Sequence, residues 1–265
     1  MTGQPVSKLA MAKRLGVSRA MLYYQPRQFN KDWELKVRME KTLHDYPSYG
    51  HKRLALHLKV NKKRSLRVMK LFGIKPYRRR GRRFKKSKGN QENIRPNLLL
   101  AIMPSQINQV WASDFTHLVY QGRIIYLATV LDIFSREVVG FSVMTGHSVQ
   151  LVINALLMAV TNKGPPKVIH SDQGSEYTSQ IYTSLEENLG IKISMSRKAS
   201  PWENGYQESF YNQFKIDLGD PNRFESLGEL IAEIYQAVHV YNTQRIHTKL
   251  KMPPRHYAIL KTIFN

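Results

Sequence analysis

The sequence predicts an α/β domain that follows small all-α modules. Residues 1–100 carry 27 Lys/Arg and 5 Asp/Glu, a net charge of +22, and their apolar residues recur at helical spacing. Residues 101–265 carry 14 Lys/Arg and 14 Asp/Glu, which is a net charge of zero. From Val110 onwards, segments rich in β-branched and aromatic residues alternate with segments of helical spacing. Apolar residues make up 42% of the chain, which is enough for a sizeable core.

The composition excludes several classes of protein. Without cysteine, the chain has no disulfide, no thiolate metal site and no cysteine nucleophile. The most apolar run, residues 124–131, is far shorter than the roughly 20 residues of a membrane-spanning helix, and no signal peptide opens the sequence. We therefore expect a cytoplasmic protein without a membrane partner.

The uneven charge indicates the kind of partner. A basic part joined to a neutral part is typical of a polyanion-binding module tethered to a domain that acts on the polyanion. A charge that served solubility alone would be spread along the chain. We therefore expect a nucleic acid partner.

Residues 1–29 are predicted to form a helix-turn-helix. Leu9, Ala12 and Leu15 share one helical face, and Gly16 supplies the positive φ of the turn. A second helical module is predicted over residues 30–74, with three helices. In the first helix, apolar residues repeat at i, i+4 and i+8, namely Leu35, Met39 and Leu43. The other two helices are expected over residues 51–58 and 61–72.

The helix over residues 61–72 is the expected DNA-facing element. Leu66, Met69 and Phe72 should turn inward at i, i+3 and i+6. An ordinary solvated basic face is the alternative. The basic residues of this helix that we expect to contact DNA are Lys62, Lys63, Arg64, Arg67 and Lys70.

Residues 75–104 are predicted to be a basic linker arm. Its segment 75–88 has nine basic residues in 14, which repel one another and cannot build a core. We expect this arm to stay mobile until DNA phosphates neutralise it. Its expected DNA contacts are Arg78, Arg79, Arg80, Arg82, Arg83, Lys85 and Lys86.

The neutral half, residues 105–265, is predicted to begin with an antiparallel meander of three strands. The expected strands are Val110–Tyr120, 124–134 and 137–144. Helix 149–162, strand 167–171, helix 178–189 and strand 191–196 follow. Ser200-Pro-Trp-Glu203 has the signature of a capping box and should begin the next helix. This order is that of a ribonuclease-H-like fold.

Three carboxylates of this half form a candidate site. Asp114 lies mid-way along the first strand, and Asp172 follows strand 167–171, at the kind of strand end where sites of open α/β sheets collect. Glu208 is expected about two turns into the helix that Ser200 caps.

Carboxylates brought together need a cation. Two unit charges at 4 Å repel by about 4 kcal/mol at an effective dielectric of 20. Hard oxygen ligands suit Mg²⁺, with Mn²⁺ as a substitute, and two such ions stabilise the attacking and leaving oxygens of a phosphoryl displacement. Water or a DNA 3′-hydroxyl is then the nucleophile, which suits a chain without cysteine.

Three motifs resemble those of a known family. They are Trp111-Ala-Ser-Asp114-Phe-Thr, His170-Ser-Asp172-Gln-Gly-Ser-Glu-Tyr177 and Asn204-Gly-Tyr-Gln-Glu208-Ser-Phe-x-x-x-Phe-Lys215. They resemble the DDE motifs of insertion-sequence transposases and retroviral integrases, and most closely those of the OrfB-type transposases of insertion sequence family three. The resemblance runs nearly the whole length and includes Tyr49-Gly50-His-Lys-Arg53 and Tyr241-Asn242-x-x-Arg245-x-His247. Gly205 departs from the alanine that is usual there, and Phe214 from leucine.

The resemblance implies a bacterial, nucleoid-associated transposase that binds the inverted-repeat ends of its element, cleaves them and joins the 3′-hydroxyl to target DNA. It implies metal ligation by Asp114, Asp172 and Glu208, with Asn204 and Lys215 near the substrate. It also implies a homo-oligomer on paired ends and an upstream reading-frame product as a partner. Two alternatives stay open: a DNA-binding regulator with an inactive catalytic domain, and a nuclease that only hydrolyses.

Other polar residues have simpler explanations. Asp132, at a strand end, is expected to hold a turn rather than to be a fourth ligand. Glu176 is expected to order its loop or to pair with a base. His170 either orients Asp172, contacts substrate or is structural, and Trp111 is an expected packing anchor.

Overall fold

The structure, a computed structural model, describes residues 7–23, 27–78, 95–197 and 200–263. Within these ranges, no helix is long and apolar enough to cross a membrane. Most of the predicted contacts of the basic arm lie outside the described residues, namely Arg79, Arg80, Arg82, Arg83, Lys85 and Lys86.

The N-terminal segment contains one α-helix and one 3-10 helix. Helix α1 spans Lys8–Arg14, Gly16 turns the chain at φ +65°, and the 3-10 helix spans Arg19–Tyr23. The two short helices around Gly16 are therefore present, and the second has the 3-10 conformation. On the face that carries Leu9, Ala12 and Leu15, Ala12 is buried but the leucines are 56% and 59% exposed, because elements this short enclose too little apolar surface to form a core.

The second helical module has its own core. Its helices are α2 (Arg27–Asp45), α3 (His51–His57) and α4 (Lys62–Leu71), so α2 begins before the predicted module boundary. In α4, Val68 and Met69 are buried, whereas Leu66 is 38% exposed, which corrects the predicted inward face. The apolar residues that pack on one another here are Leu35, Met39, Tyr49, Leu54, Val68 and Met69.

Buried Asp32 ties α4 to α2. Its carboxylate accepts hydrogen bonds from two nitrogens of Arg67, both at 2.7 Å, and Arg64 lies 3.7 Å away. The hydrogen bond from Arg67 holds the pKa of Asp32 below its usual value, despite its burial. Arg64 and Arg67, two of the five basic residues of α4 that we expect to contact DNA, therefore also hold the module together.

A five-stranded sheet forms the centre of the neutral half. Its strands are β1 (Val110–Tyr120), β2 (Arg123–Asp132), β3 (Val138–Met144), β4 (Val168–Ser171) and β5 (Lys192–Met195). They lie in the order β3-β2-β1-β4-β5. The first three form the predicted antiparallel meander, and β4 and β5 add in parallel beside β1.

Helices cover both faces of this sheet. One apolar core joins the sheet to α8 and α9, and another joins it to α5 and α7. The helices are α5 (Val149–Lys163), α6 (Ser175–Thr178), α7 (Gln180–Asn188), α8 (Gly205–Leu218), α9 (Leu227–Thr243) and α10 (Pro254–Ile263). The predicted helix 178–189 is α7, which Ser179 caps, and α6 is a short additional helix that the sequence pattern did not predict.

The predicted capping box at Ser200 is not formed. The segment Pro201–Asn204 is a 3-10 helix, and α8 begins only at Gly205. Glu203 is instead bound by Arg197 and by Asn97, each at 2.8 Å, so its carboxylate is not available to cap Ser200.

The second helical module is bonded to the neutral half through polar groups, of which Arg245 is buried. Arg245, 3% exposed, forms a short ion pair with Asp217 and donates to Ser48 at 2.7 Å. The backbone N–H of Ile246 donates to the Tyr49 hydroxyl at 2.7 Å. The motif that begins at Tyr49 therefore contacts the motif Tyr241–His247 of the neutral half.

We expect Tyr49→Phe to lower the free energy of unfolding by about 1–2 kcal/mol, because it leaves the half-buried Ile246 N–H without an acceptor. Urea denaturation at equilibrium measures the change. Tyr46→Phe is the matched control, since the Tyr46 hydroxyl makes only a long, exposed bond of 3.4 Å to Gln244. Equal losses in the two variants would contradict the assigned role of the Tyr49 hydroxyl.

Candidate functional site

Asp114 lies on β1, and Asp172 directly follows the last residue of β4, the neighbouring parallel strand. β1 and β4 pair as far as Ala112 opposite His170. Continuing the same register by two residues aligns Asp114 with Asp172. The two carboxylates are close enough for the charge of Asp172 to act on Asp114.

A buried polar network fixes helix α8 across β1. Gln207 Nε2 donates to the carbonyls of Ala112 at 2.6 Å and Thr129 at 3.0 Å. The Tyr211 hydroxyl donates to the Asp114 carbonyl at 2.6 Å, and Thr129 Oγ1 lies 2.8 Å from the same hydroxyl. The helix is thereby held directly on the strand segment that carries Asp114.

Glu208 lies in the first turn of α8, next to Gln207, and is exposed. The prediction that it lies two turns into a helix capped by Ser200 is wrong, because the α-helix begins at Gly205. The bonds of Gln207 and Tyr211 to the sheet bring this first turn, and Glu208 with it, towards Asp114.

Negative charge outweighs positive charge around Asp114. Burial, followed by the negative charges of Asp172 and Glu208, raises the pKa of Asp114 to about 7, although the Phe115 N–H donates to its Oδ1 at 2.8 Å. Desolvation by the surrounding chain, followed by the negative charge of Glu176, raises the pKa of Asp172, although the Gly174 N–H donates to its Oδ1 at 2.9 Å.

The chemistry of these side chains fits a divalent cation. They are hard oxygen donors whose mutual repulsion a cation would remove. Across the described ranges, however, no three His, Asp or Glu side chains lie close enough to hold an ion together. The repulsion that raises the pKa of Asp114 also favours separation of the carboxylates.

Asn204 and Lys215 border the same strand. Asn204 is buried, with Nδ2 3.5 Å from the Ser113 carbonyl, and its Oδ1 has no hydrogen-bond partner among the described residues. Lys215 Nζ donates to the His117 carbonyl at 2.9 Å, and its charge lowers the pKa of Asp114.

Sequence reasoning missed three residues that position the site: Gln207, Tyr211 and Thr129. A signal was available, because polar residues recur three or four positions apart along the segment that precedes and forms α8. The recurring residues are Asn204, Gln207, Tyr211 and Lys215, and all four bond to β1 carbonyls.

Two acidic residues have the local roles expected of them. Asp132 accepts hydrogen bonds from the backbone of Ser135 at 2.6 Å and Asn108 at 2.8 Å, which confirms the prediction that it holds a turn. Glu176 is buried and pairs with the imidazole of His147 at 2.8 Å, which fixes its loop.

His170 is a structural histidine. It is buried, its Nδ1 lies 2.8 Å from Ser194 Oγ on β5, and burial lowers its pKa to about 4. It therefore bonds to the neighbouring strand in a neutral state. Trp111 is fully buried, which confirms its predicted packing role.

The remaining basic residues are available at the surface. The lysines of α4, together with Arg78 at the start of the arm, are exposed. None of them forms an ion pair with a carboxylate of the described residues. These residues are Lys62, Lys63, Lys70 and Arg78.

Comparison with known proteins gives two kinds of match. Residues 104–201 match a family described as integrase core domain, and residues 189–254 match a second family of that description. The chain is 34% identical over 229 residues to the transposase for insertion sequence element IS904 of Lactococcus lactis, covering 82% of this chain and 89% of the relative. It is 32% identical over 144 residues to the transposase InsF for insertion sequence IS3A of Escherichia coli, covering 53% and 50%.

Solved structures match the fold. The simian T-cell lymphotropic virus intasome in complex with the PP2A regulatory subunit B56 gamma has a TM-score of 0.50 and 20% identity, over 82% of this chain and 73% of that chain. At this identity the likeness concerns the fold alone. It confirms the predicted ribonuclease-H-like α/β core.

Proposed function

Because this chain belongs to the insertion-sequence transposases that carry an integrase core domain, we propose that it binds the inverted-repeat ends of its own element, cleaves them and joins their 3′-hydroxyls to target DNA. It is a DDE-type polynucleotidyl transferase, and its resemblance to insertion sequence family three is confirmed. A DNA substrate implies that it works in the bacterial cytoplasm, at the nucleoid.

The proposed catalytic residues are Asp114, Asp172 and Glu208. The observation that supports them most is the electrostatic coupling of Asp114 to the other two carboxylates, which come from three separate elements of the fold. Two Mg²⁺ ions, or Mn²⁺ in their place, would supply Lewis-acid stabilisation of the attacking and leaving oxygens when bound. The chain's own contribution is to orient these carboxylates through Gln207 and Tyr211.

Assembly on paired ends is part of the proposal. The intasome matched above is by name an assembled complex, and we propose that this chain acts as a homo-oligomer that holds two element ends. An upstream reading-frame product is a further proposed partner.

The test is strand transfer by the purified chain with labelled end DNA and Mg²⁺, beside Asp172→Asn. Joined products that the substitution removes would support the transposase. Cleavage without joining of pre-cleaved ends would favour a hydrolytic nuclease, and binding without either reaction would favour a regulator or a need for the upstream product. A parallel reaction with Mn²⁺ tests the proposed substitute ion.

We expect DNA affinity to fall steeply with salt, by about 10³-fold between 50 and 200 mM, because each neutralised phosphate contributes about −0.9 to the slope of log K against log salt. Fluorescence anisotropy measures this slope. A triple variant with glutamine at Lys62, Lys63 and Lys70 should reduce the magnitude of this slope by about 0.9 for each lysine that contacts a phosphate. The control is a triple variant with glutamine at three exposed lysines of the neutral half, Lys167, Lys192 and Lys251. Equal slopes in the two triple variants would contradict the role of α4.

A further inference from the structure

A cleft lies between the second helical module and the catalytic core, apart from the carboxylates. Its volume is about 430 Å³, within the range that holds a small ligand. Arg53 of α3 reaches it from the module, and Arg136, Tyr206 and His247 reach it from the core. The cleft is therefore complete only when the module contacts the core.

Arg136 is held in the wall of this cleft at a strained backbone position. It has φ +65° in the turn between β2 and β3, where its N–H donates to the Asp132 carbonyl at 2.8 Å. A left-handed φ is unfavourable for a residue other than glycine, because Cβ comes too close to the following carbonyl oxygen. The chain nevertheless has an arginine at this position. We infer that the side chain of Arg136 has a role that offsets the unfavourable backbone conformation.

The guanidinium of Arg136 has unused hydrogen-bond donors. The residue is 7% exposed, its Cζ lies 4.1 Å from the centroid of the Tyr206 ring, and Nε and Nη1 have no hydrogen-bond partner in the part of the chain that the structure describes. Apart from the Tyr206 ring, this buried charge is not compensated within the described residues, and an anion in the cleft would compensate it.

Arg53 presents a second cation to the same cleft. Its Nη1 donates to Gln213 at 2.9 Å, whereas its Nε has no partner among the described residues. Burial, together with the nearby charge of Arg245, lowers its pKa to about 10. Both effects disfavour the charged form and would be relieved by a bound anion.

The carboxylates near these arginines are already paired. Asp217 forms its ion pair with Arg245, and Glu203, in the wall of the cleft, is bound by Arg197 and Asn97. Neither Arg53 nor Arg136 is within ion-pair distance of a carboxylate in the described ranges. The cleft therefore has an excess of positive charge.

His247 adds a neutral polar group. Burial, followed by the charges of Arg136 and Arg53, lowers its pKa to about 4, and its Nδ1 has no partner within the described chain. A neutral imidazole can donate one hydrogen bond to an anion.

We propose that this cleft binds one phosphate group of the DNA strand on which the catalytic core acts, with Arg136 and Arg53 as its ligands. The inference rests on the proposed function for the identity of the polyanion. Because the two arginines come from different modules, a phosphate held here would also fix the helical module relative to the core. Free phosphate has the same chemistry, so the test must separate the two sources.

The test compares Arg136→Gln with Arg123→Gln in the full chain. Arg123 is exposed on the β1–β2 hairpin, so its substitution removes the same charge outside the cleft. With labelled end DNA and anisotropy, we expect Arg136→Gln to raise Kd by about tenfold and to lower the salt slope by about 0.9. Arg123→Gln should leave both unchanged. Arg136→Gly should weaken binding equally without lowering Tm, since glycine adopts φ +65° freely.

The outcomes are distinguishable. Equal DNA binding by the Arg136→Gln and Arg123→Gln variants overturns the proposal. A second outcome is that inorganic phosphate raises the Tm of the wild type but not that of Arg136→Gln, while Arg136→Gln binds DNA with unchanged affinity. This result would assign the cleft to a free anion and overturn the proposed DNA contact. A drop in Tm of Arg136→Gly would show a merely structural role. Failure of the proposed function would appear instead as loss of strand transfer by a wild-type chain that binds DNA normally.

Discussion

Glu208→Gln is expected to lower both DNA cleavage and strand transfer by about 10³-fold or more, with DNA binding unchanged. The substitution keeps the size of the side chain and removes one of the three carboxylates that we propose to hold the metal ions. Asp114→Asn and Asp172→Asn should have the same effect, because the three act as a unit. Gel assays with labelled end DNA measure cleavage and joining, and anisotropy measures binding.

Glu225→Gln is the control for this series. Glu225 is exposed in the loop before α9, and its substitution removes the same charge from the neutral half without an expected loss of activity. Folding provides a second check. Since the carboxylates repel one another, neutralising one should not lower Tm in the absence of added metal. A fully active Glu208→Gln chain would reject Glu208 as a catalytic residue.

Gly140→Ala is expected to lower the free energy of unfolding by about 3 kcal/mol. Gly140 lies on β3 where helix α5 approaches the sheet most closely. A Cβ at this position would lie 2.3 Å from the Ala155 carbonyl oxygen and 2.6 Å from the Ala159 nitrogen. Both atoms belong to the backbone of α5, so the whole helix would have to move. Urea denaturation measures the loss.

Gly228→Ala is the matched control. Gly228 lies in the first turn of α9, and the nearest atom to an added Cβ is Ser226 Oγ at 3.8 Å, an ordinary contact. The same chemical change should there raise stability by up to about 1 kcal/mol, because alanine favours the helix. If both variants lost stability equally, close packing of α5 on β3 would not be the cause.

The order of elements follows from local patterns of residues. The first predicted strand, Val110–Tyr120, matches β1 at both ends, and the meander, the crossover helix and two parallel strands occur in the expected order. These elements are specified by β-branched and aromatic runs, by turns and by helical spacing, all of which act over a few residues. The positions of Asp114 and Asp172 relative to their strands follow from the same patterns.

Local signals were misleading where a distant partner competes with them. Ser200 and Glu203 have the spacing of a capping box, but Arg197 and Asn97 bind Glu203, and α8 begins later. Leu66 has helical spacing with Met69, but packing on α2 and α3 selects the face that carries Val68. In each case a contact made in the folded chain outweighs a preference of a few residues.

The sequence was therefore sufficient for the fold class, the candidate carboxylates and the basic half, since residue type and short-range spacing specify them. Only the folded chain shows that Gln207 and Tyr211 hold α8 on β1, that Tyr49 and Arg245 join the module to the core, and that Arg53 faces the same cleft as Arg136. These contacts join residues that are about 80–200 positions apart. No local pattern encodes such pairs, because their geometry exists only once the helices have packed on the sheet.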